Sequence, residues 1–149
     1  MYSLRESNLI KNKINNFLKS TGLVYYDEKY IRSVNEKLTE IDFILNMNDC
    51  NVCISSKFIN PAPSSSTITK FILNLNLIKE LTNRETYGIL LLKSEISYDS
   101  EVQLKNCPNE IMYLINNDKD NLYKMFIQYM YSNNIFSHDI EGDTIMLEY

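Results

Sequence analysis

The most constraining feature of this sequence is a continuous apolar run, Tyr87-Gly88-Ile89-Leu90-Leu91-Leu92-Lys93. An uninterrupted run of this kind suits a strand that is covered on both faces, as in a parallel sheet. The segment before it, Thr67–Asn83, carries apolar residues at helical spacing and is predicted to be a helix. Parallel strands need crossover helices of this kind, so the run predicts an α/β protein.

Other segments extend the alternation of helices and strands. A helix is expected over Leu4–Ser20, with Gly22 as its C-terminal cap, whereas Asp27–Thr39 is ambiguous. The remaining predicted elements are a short strand at Leu23–Tyr26, a helix at Asp99–Lys105, a buried strand at Glu110–Ile115, a helix at Asp118–Tyr131 and a final hairpin from Ile135–Ser137 and Thr144–Tyr149. Together they predict a mixed sheet between two layers of helices, and 149 residues fit one domain spanning 1–149.

Cysteine content and hydropathy restrict the compartment. The three cysteines, Cys50, Cys53 and Cys107, are an odd number, and the N-terminus lacks an apolar signal core. Both observations favour a reducing intracellular compartment, the cytoplasm or nucleus, with the mitochondrion left open. Apolar stretches such as Ile89–Leu92 are far too short to cross a membrane, so no membrane partner is expected.

Charge is distributed unevenly along the chain. Residues 1–94 carry a net charge of +3 and residues 95–149 a net charge of −7. If the chain binds nucleic acid, the contact is therefore expected in the first two thirds, with Lys11, Lys19 and Lys70 as candidate phosphate contacts. The alternative is that Lys11 and Lys19 belong to a solvated helix face.

A hairpin brings three polar residues together. Its strands are predicted at Ile41–Met47 and Val52–Phe58, joined by a turn at Asn48–Asn51. This register places Asp42 opposite Lys57. Ser55 shares the same face because side chains alternate along a strand. One face is therefore predicted to present a carboxylate, a hydroxyl and an ammonium group.

The hairpin resembles the motif of the PD-(D/E)xK nucleases. That family carries an aspartate on one strand and Glu-x-Lys on the next, and here Asp42 is followed after twelve residues by Ser55-Ser56-Lys57. The first helix of the family carries a glutamate, to which Glu6 corresponds. The order of elements over residues 4–131 is similar to the Mrr-type and Holliday-junction-resolvase branches.

The resemblance implies a fold, a site and a chemistry. The fold would be restriction-endonuclease-like, with three layers around a central mixed sheet. Asp42 would bind Mg²⁺ or Mn²⁺, Lys57 would position the attacking water, and Glu6 would be an auxiliary acid. Ser55 stands where the family has its second carboxylate, and a hydroxyl is a poor replacement ligand for a hard cation. The metal site is therefore predicted to be incomplete.

Three functions follow from this incomplete motif. The first is a nuclease-like domain that binds or acts on DNA with weak or no cleavage, needing no cofactor if it is inactive. The second is a non-catalytic scaffold that binds a protein partner or forms a homodimer. The third is an active metal-dependent nuclease that takes its second acid from Glu6, Glu40 or Asp27.

Two further features are interpreted as structural. Cys50 and Cys53 have the spacing of a zinc half-site or redox pair, but a turn cysteine and a core cysteine are favoured because a zinc site needs four ligands. His138, the single histidine, lies in a polar segment and is expected to be solvated.

Overall fold

The computed structural model describes the backbone of residues 2–133 and the side chains of residues 5–133. Its helices are α1 (Tyr2–Thr21), α2 (Glu28–Val34), α3 (Ser65–Thr82), α4 (Tyr98–Asn106) and α5 (Lys119–Ser132). Its strands are β1 (Tyr25–Asp27), β2 (Phe43–Asn46), β3 (Cys50–Lys57), β4 (Glu85–Leu92) and β5 (Ile111–Ile115). The predicted final hairpin and His138 lie outside the described residues.

The strands form one mixed sheet in the order β1-β2-β3-β4-β5. β1, β2 and β3 pair antiparallel, whereas β3, β4 and β5 pair parallel. The prediction of an α/β protein with a mixed sheet between helices is confirmed. The apolar run is the second-last strand, paired on both sides, as its composition predicts.

Local sequence signals end and begin the helices where expected. Gly22 follows α1 with a φ of 78°, a left-handed conformation that glycine adopts without steric cost. Ser64 caps α3 by accepting a hydrogen bond from the Thr67 N–H, and Asp118 caps α5 in the same manner. The ambiguous segment contains α2, which Asp27 caps.

The core has two halves, one on each face of the sheet. On one face, α1 and α5 cover a cluster that includes Ile14, Leu45, Ile54 and Phe126. On the other face, α2, α3 and α4 cover a second cluster that includes Cys53, Phe71 and Leu90. The sheet therefore forms the middle of three layers.

The strand predicted at Glu110–Ile115 is present as β5, but the prediction that it is buried is wrong. Among the strands of residues 2–133, β5 lies at the edge of the sheet, its side chains are mostly half-buried, and Met112 is 40% exposed. The sequence could not reveal this, because an apolar strand looks the same whether or not a further strand pairs with it.

Candidate functional site

The predicted site residues gather at the edge of the sheet where the parallel strands end, here called the carboxyl edge. Helices α3, α4 and α5 begin there because each follows a parallel strand. α1 also begins there, since Glu6 reaches Lys93, the residue directly after β4. Helix N-termini carry partial positive charge, so the backbone makes this edge favourable for anions.

Asp42 is the most buried ionisable group of the site, with 3% of its surface exposed. Its Oδ2 accepts a 2.7 Å hydrogen bond from the Ser56 N–H, and its Oδ1 lies 3.4 Å from Lys11 Nζ. Burial raises the pKa of the Asp42 carboxyl, while the Lys11 charge and the Ser56 hydrogen bond oppose that rise. Asp42 is thus held by α1 and by the β3 backbone.

The Lys11 ammonium lies between two carboxylates. Its Nζ is 3.4 Å from Asp42 Oδ1 and 3.5 Å from Glu28 Oε2. Glu28 in turn pairs with Arg32 one helical turn along α2, at 2.7 Å. A cation from the chain itself therefore neutralises the carboxylate that the nuclease motif assigns to a metal.

Lys57 is bound by a different carboxylate. Its Nζ lies 2.7 Å from Glu40 Oε1, and both side chains are largely buried. Burial by itself raises the pKa of Glu40, but the hydrogen bond and charge of Lys57, helped by Thr39 and Lys70, lower it below the ordinary value. Lys57 acts on Asp42 only as a weak, more distant charge that lowers the pKa of Asp42.

The predicted hairpin register is wrong by two residues. The strands pair Asn46 with Asn51 and Ile44 with Cys53, so the turn is only Asn48-Asp49 and not Asn48–Asn51. Asp42 precedes β2, and its N–H donates to the Ile54 carbonyl. Asp42 and Lys57 therefore do not stand opposite each other. A two-residue Asn-Asp turn is already sufficient for a hairpin, which is why the shorter loop is adopted.

Ser55 and Ser56 are buried polar residues at the end of β3, 0% and 2% exposed. Neither hydroxyl has a hydrogen-bond partner among the described residues. The alternation of side chains puts Ser56 on the α1 face, beside Ile54, and Ser55 on the α3 face, beside Cys53. Ser55 is therefore not on the side from which Lys11 of α1 approaches Asp42.

Glu6 also has a cationic partner. Its Oε1 lies 3.3 Å from Lys93 Nζ, which in turn stands 5.2 Å from the centre of the Phe58 ring. Sequence reasoning did not single out Lys93. The available signal was its position directly after the apolar run, because residues that follow parallel strands meet at one edge of the sheet.

The carboxylates of this edge do not fit a divalent metal. Among the described residues, no three His, Cys, Asp or Glu side chains are grouped so that they could hold a metal ion. The candidate second acids have other roles, because Glu40 pairs with Lys57, Glu6 pairs with Lys93, and Asp27 caps α2. Ser55 supplies no charge.

The three lysines predicted to contact nucleic acid do not share one surface. Lys11 and Lys19 lie on α1, which covers one face of the sheet, whereas Lys70 lies on α3, which covers the other. Lys11 is in ion pairs and Lys19 lies in the last turn of α1, away from the carboxyl edge. Lys70 is near enough to Glu40 to lower its pKa.

The core position predicted for Cys53 is confirmed, whereas the turn position predicted for Cys50 is wrong. Cys53 is fully buried in the α3-side core, and burial raises the pKa of its thiol. Cys50 packs against the α1-side core, on the opposite face of β3. It begins β3 and does not lie in the turn. Two sulfurs on opposite faces of a strand cannot bind one zinc ion or form a disulfide with each other.

Comparison of the chain with family models, curated proteins and solved structures finds no match. In the described part of the chain, no helix combines the length and apolar character that crossing a bilayer requires. Any functional assignment therefore rests on the residues of the site itself.

Proposed function

We propose that this chain is a nuclease-like domain that binds nucleic acid at its carboxyl edge without cleaving it. The observation that carries the proposal is the Lys11 ammonium between Asp42 and Glu28. A divalent ion at Asp42 would meet this ammonium at short range, and the repulsion in a buried site would be severe. The chain supplies its own monovalent cation in place of the hydrated metal that cleavage needs.

The proposed fold is restriction-endonuclease-like. The order of elements supports it, since a helix, a short strand, a hairpin, a long helix and an apolar parallel strand occur in the order of the motif-bearing family, with the short helix α2 inserted before the hairpin. The hairpin also brings Asp42 to the end of β3, where Lys57 lies.

Binding is supported by the positive features of the carboxyl edge. Lys57 ends β3 and Lys93 directly follows the neighbouring strand β4, so both lysines lie at this edge. Their side chains are 21% and 23% exposed, and helices begin around them. A phosphate can approach these partly exposed ammonium groups and exchange with the carboxylates that hold them. Backbone N–H groups at helix N-termini stabilise the same anions.

The test is a gel-retardation and cleavage assay with Mg²⁺ or Mn²⁺ on single-stranded, duplex and branched DNA and on RNA. We expect retention without cleavage, with an affinity that falls steeply with salt. Lys57→Gln and Lys93→Gln should each weaken binding, whereas Lys79→Gln, at the far end of α3, should not. Metal-dependent cleavage that Asp42→Asn abolishes would instead establish an active nuclease with a relocated acid.

A second candidate function is protein assembly. It is favoured by the ion pairing of Lys11, Lys57 and Lys93, which leaves less free positive charge for phosphates. In addition, Leu73 and Leu81 are 58% and 61% exposed on α3. Assembly through an apolar surface depends little on salt. A stable dimer in sedimentation experiments that Leu73→Glu dissociates, with no retention of nucleic acid, would support this second function.

A further inference from the structure

The opposite end of the sheet contains a half-open cleft of about 350 Å³, here called the acidic cleft. It lies where β3 and β4 begin and where α5 ends. Its apolar lining is buried, and Met47, Val52 and Ile89 are each at most 5% exposed. Its volume is at the lower end of the range for ligand pockets, which suits one or two side chains of a partner.

Three carboxylates line this cleft, those of Asp49, Glu85 and Glu110. No Lys, Arg or His is among the described residues that line it. Of the three carboxylates, only Glu85 is in an ion pair within the described part of the chain, with Lys79 at 3.6 Å. The C-terminus of α5 adds the partial negative charge of the helix dipole, because Tyr129 and Asn133 line the cleft as well. The cleft is therefore negative in potential.

Two tyrosines stand among these carboxylates. Both rings line the cleft together with the carboxylates. Burial raises the pKa of Tyr87 and of Tyr129, and the charge of Glu110 adds to the rise at both. A negative aromatic face next to carboxylates is the surrounding that an organic cation prefers.

The charge distribution decides the class of ligand. A divalent metal ion needs several ligand atoms that coordinate it at the same time. These carboxylates are not grouped closely enough to coordinate one ion together. Carboxylates spread around an apolar lining instead match a guanidinium or ammonium group on an apolar stem, whose methylenes pack on buried side chains.

We infer that the acidic cleft is a docking site for an arginine-bearing segment of a partner protein. The guanidinium would lie against Tyr87 and Glu110, and its methylene stem would contact the apolar lining. An arginine is preferred to a lysine because its planar group stacks on an aromatic ring and binds carboxylates in a bidentate manner. This inference is independent of the proposed function, because the cleft lies at the end of the sheet remote from Lys57.

The probe is a fluorescein-labelled peptide, acetyl-Gly-Leu-Arg-Leu-Arg-Gly-amide, with a control peptide in which citrulline replaces both arginines. Citrulline keeps the shape of arginine and removes its charge. Fluorescence anisotropy should show binding of the arginine peptide and binding about tenfold weaker, or none, for the citrulline peptide. Equal binding of the two peptides overturns the inference.

Variants of the full chain locate the binding. Glu110→Gln should weaken it about threefold, as expected for one exposed charge pair. Tyr87→Leu should weaken it as well, whereas Glu36→Gln, an exposed change in the loop that follows α2 and outside the lining of the cleft, should leave it unchanged. If Glu36→Gln weakens binding as much as Glu110→Gln, the peptide binds by net charge alone and the inference is wrong. Binding of spermine without binding of the arginine peptide also overturns it.

Discussion

The two ends of the sheet differ in whether their carboxylates are paired with lysines. At the carboxyl edge, Asp42, Glu40 and Glu6 are each matched by a lysine within 3.4 Å. At the acidic cleft, Glu110 and Asp49 face tyrosines and apolar side chains. Ionisable groups that are buried need partners within the chain, whereas exposed carboxylates can remain without a matching cation and serve a ligand.

The backbone reinforces this contrast. Helices begin at the carboxyl edge and end toward the acidic cleft, because helices that follow parallel strands run back along the sheet. Their partial charges are therefore positive at one end of the molecule and negative at the other. The two ends are suited to opposite kinds of partner, an anion at the first and a cation at the second.

The largest expected effect comes from removing the cation that holds Asp42. Lys11→Met leaves the buried carboxylate without its ion-pair partner and should lower the free energy of unfolding by about 3 kcal/mol. Urea denaturation at pH 7 measures the change. Lys19→Met, in the last turn of the same helix, is the matched control and should change stability by less than about 0.5 kcal/mol.

A double variant sharpens this first prediction. Asp42→Asn keeps an oxygen that can accept the Ser56 hydrogen bond and removes the charge. Added to Lys11→Met, it should therefore recover much of the stability that Lys11→Met alone loses. If the two losses simply add, Lys11 stabilises α1 by packing and not through Asp42.

A second, smaller effect concerns pH, and the two carboxylates of the carboxyl edge should respond in opposite directions. The pKa of Asp42 is above its ordinary value of 3.8. The stability that Asp42 contributes is therefore fully present below pH 3.8 and is lost as the pH rises through its pKa in the folded protein. The pKa of Glu40 is below its ordinary value of 4.5, so its contribution is present above that pH and is lost as pH falls through the folded-state pKa.

The measurement is the urea midpoint of wild type, Asp42→Asn and Glu40→Gln from about pH 3 to about pH 7, a range that includes the ordinary pKa values of aspartate and glutamate side chains. Relative to wild type, Asp42→Asn should gain stability as pH rises. Glu40→Gln should lower the free energy of unfolding by about 1 kcal/mol near pH 7 and by less in acid, because the ion pair with Lys57 that it removes exists only where Glu40 is ionised. Curves of the same sign would contradict this assignment of the two ion pairs.

The smallest expected effect is at the acidic cleft. Glu110→Gln removes one of several neighbouring negative charges and should raise the free energy of unfolding by about 0.3 kcal/mol at low salt. Thermal unfolding at two salt concentrations measures it, since added salt should remove the gain. A clear loss of stability would mean that Glu110 has a stabilising partner, and the contrast between the two ends would disappear.

Much of the fold could be predicted because its signals are local. Gly22, Ser64 and Asp118 each mark a helix end through contacts within a few residues, and all three do so in the structure. The apolar run of β4 needed no knowledge of the rest of the chain either. The partial exposure of β5 was missed because it depends on what packs beside the strand in space, which a local pattern does not show.

The site was predicted only in part, because its contacts join distant segments. Asp42 and Lys57 were expected to meet, yet each found another partner, Lys11 from α1 and Glu40 from the loop before β2. Several cations and carboxylates converge on this edge, and small differences in position decide which pairs form. The acidic cleft was missed because its carboxylates precede or begin different strands and converge only when those strands align.

The sequence by itself determined the class of this protein, most of its helices and strands, and the presence of the hairpin near Asp42 and Lys57 but not its register, since periodicity and capping act over a few residues. Only the tertiary structure decided that Lys11 pairs with Asp42, that Lys57 pairs with Glu40, and that the far end of the sheet forms an acidic cleft. The physical reason is that charge interactions and burial depend on distance in space, which the order of residues does not specify.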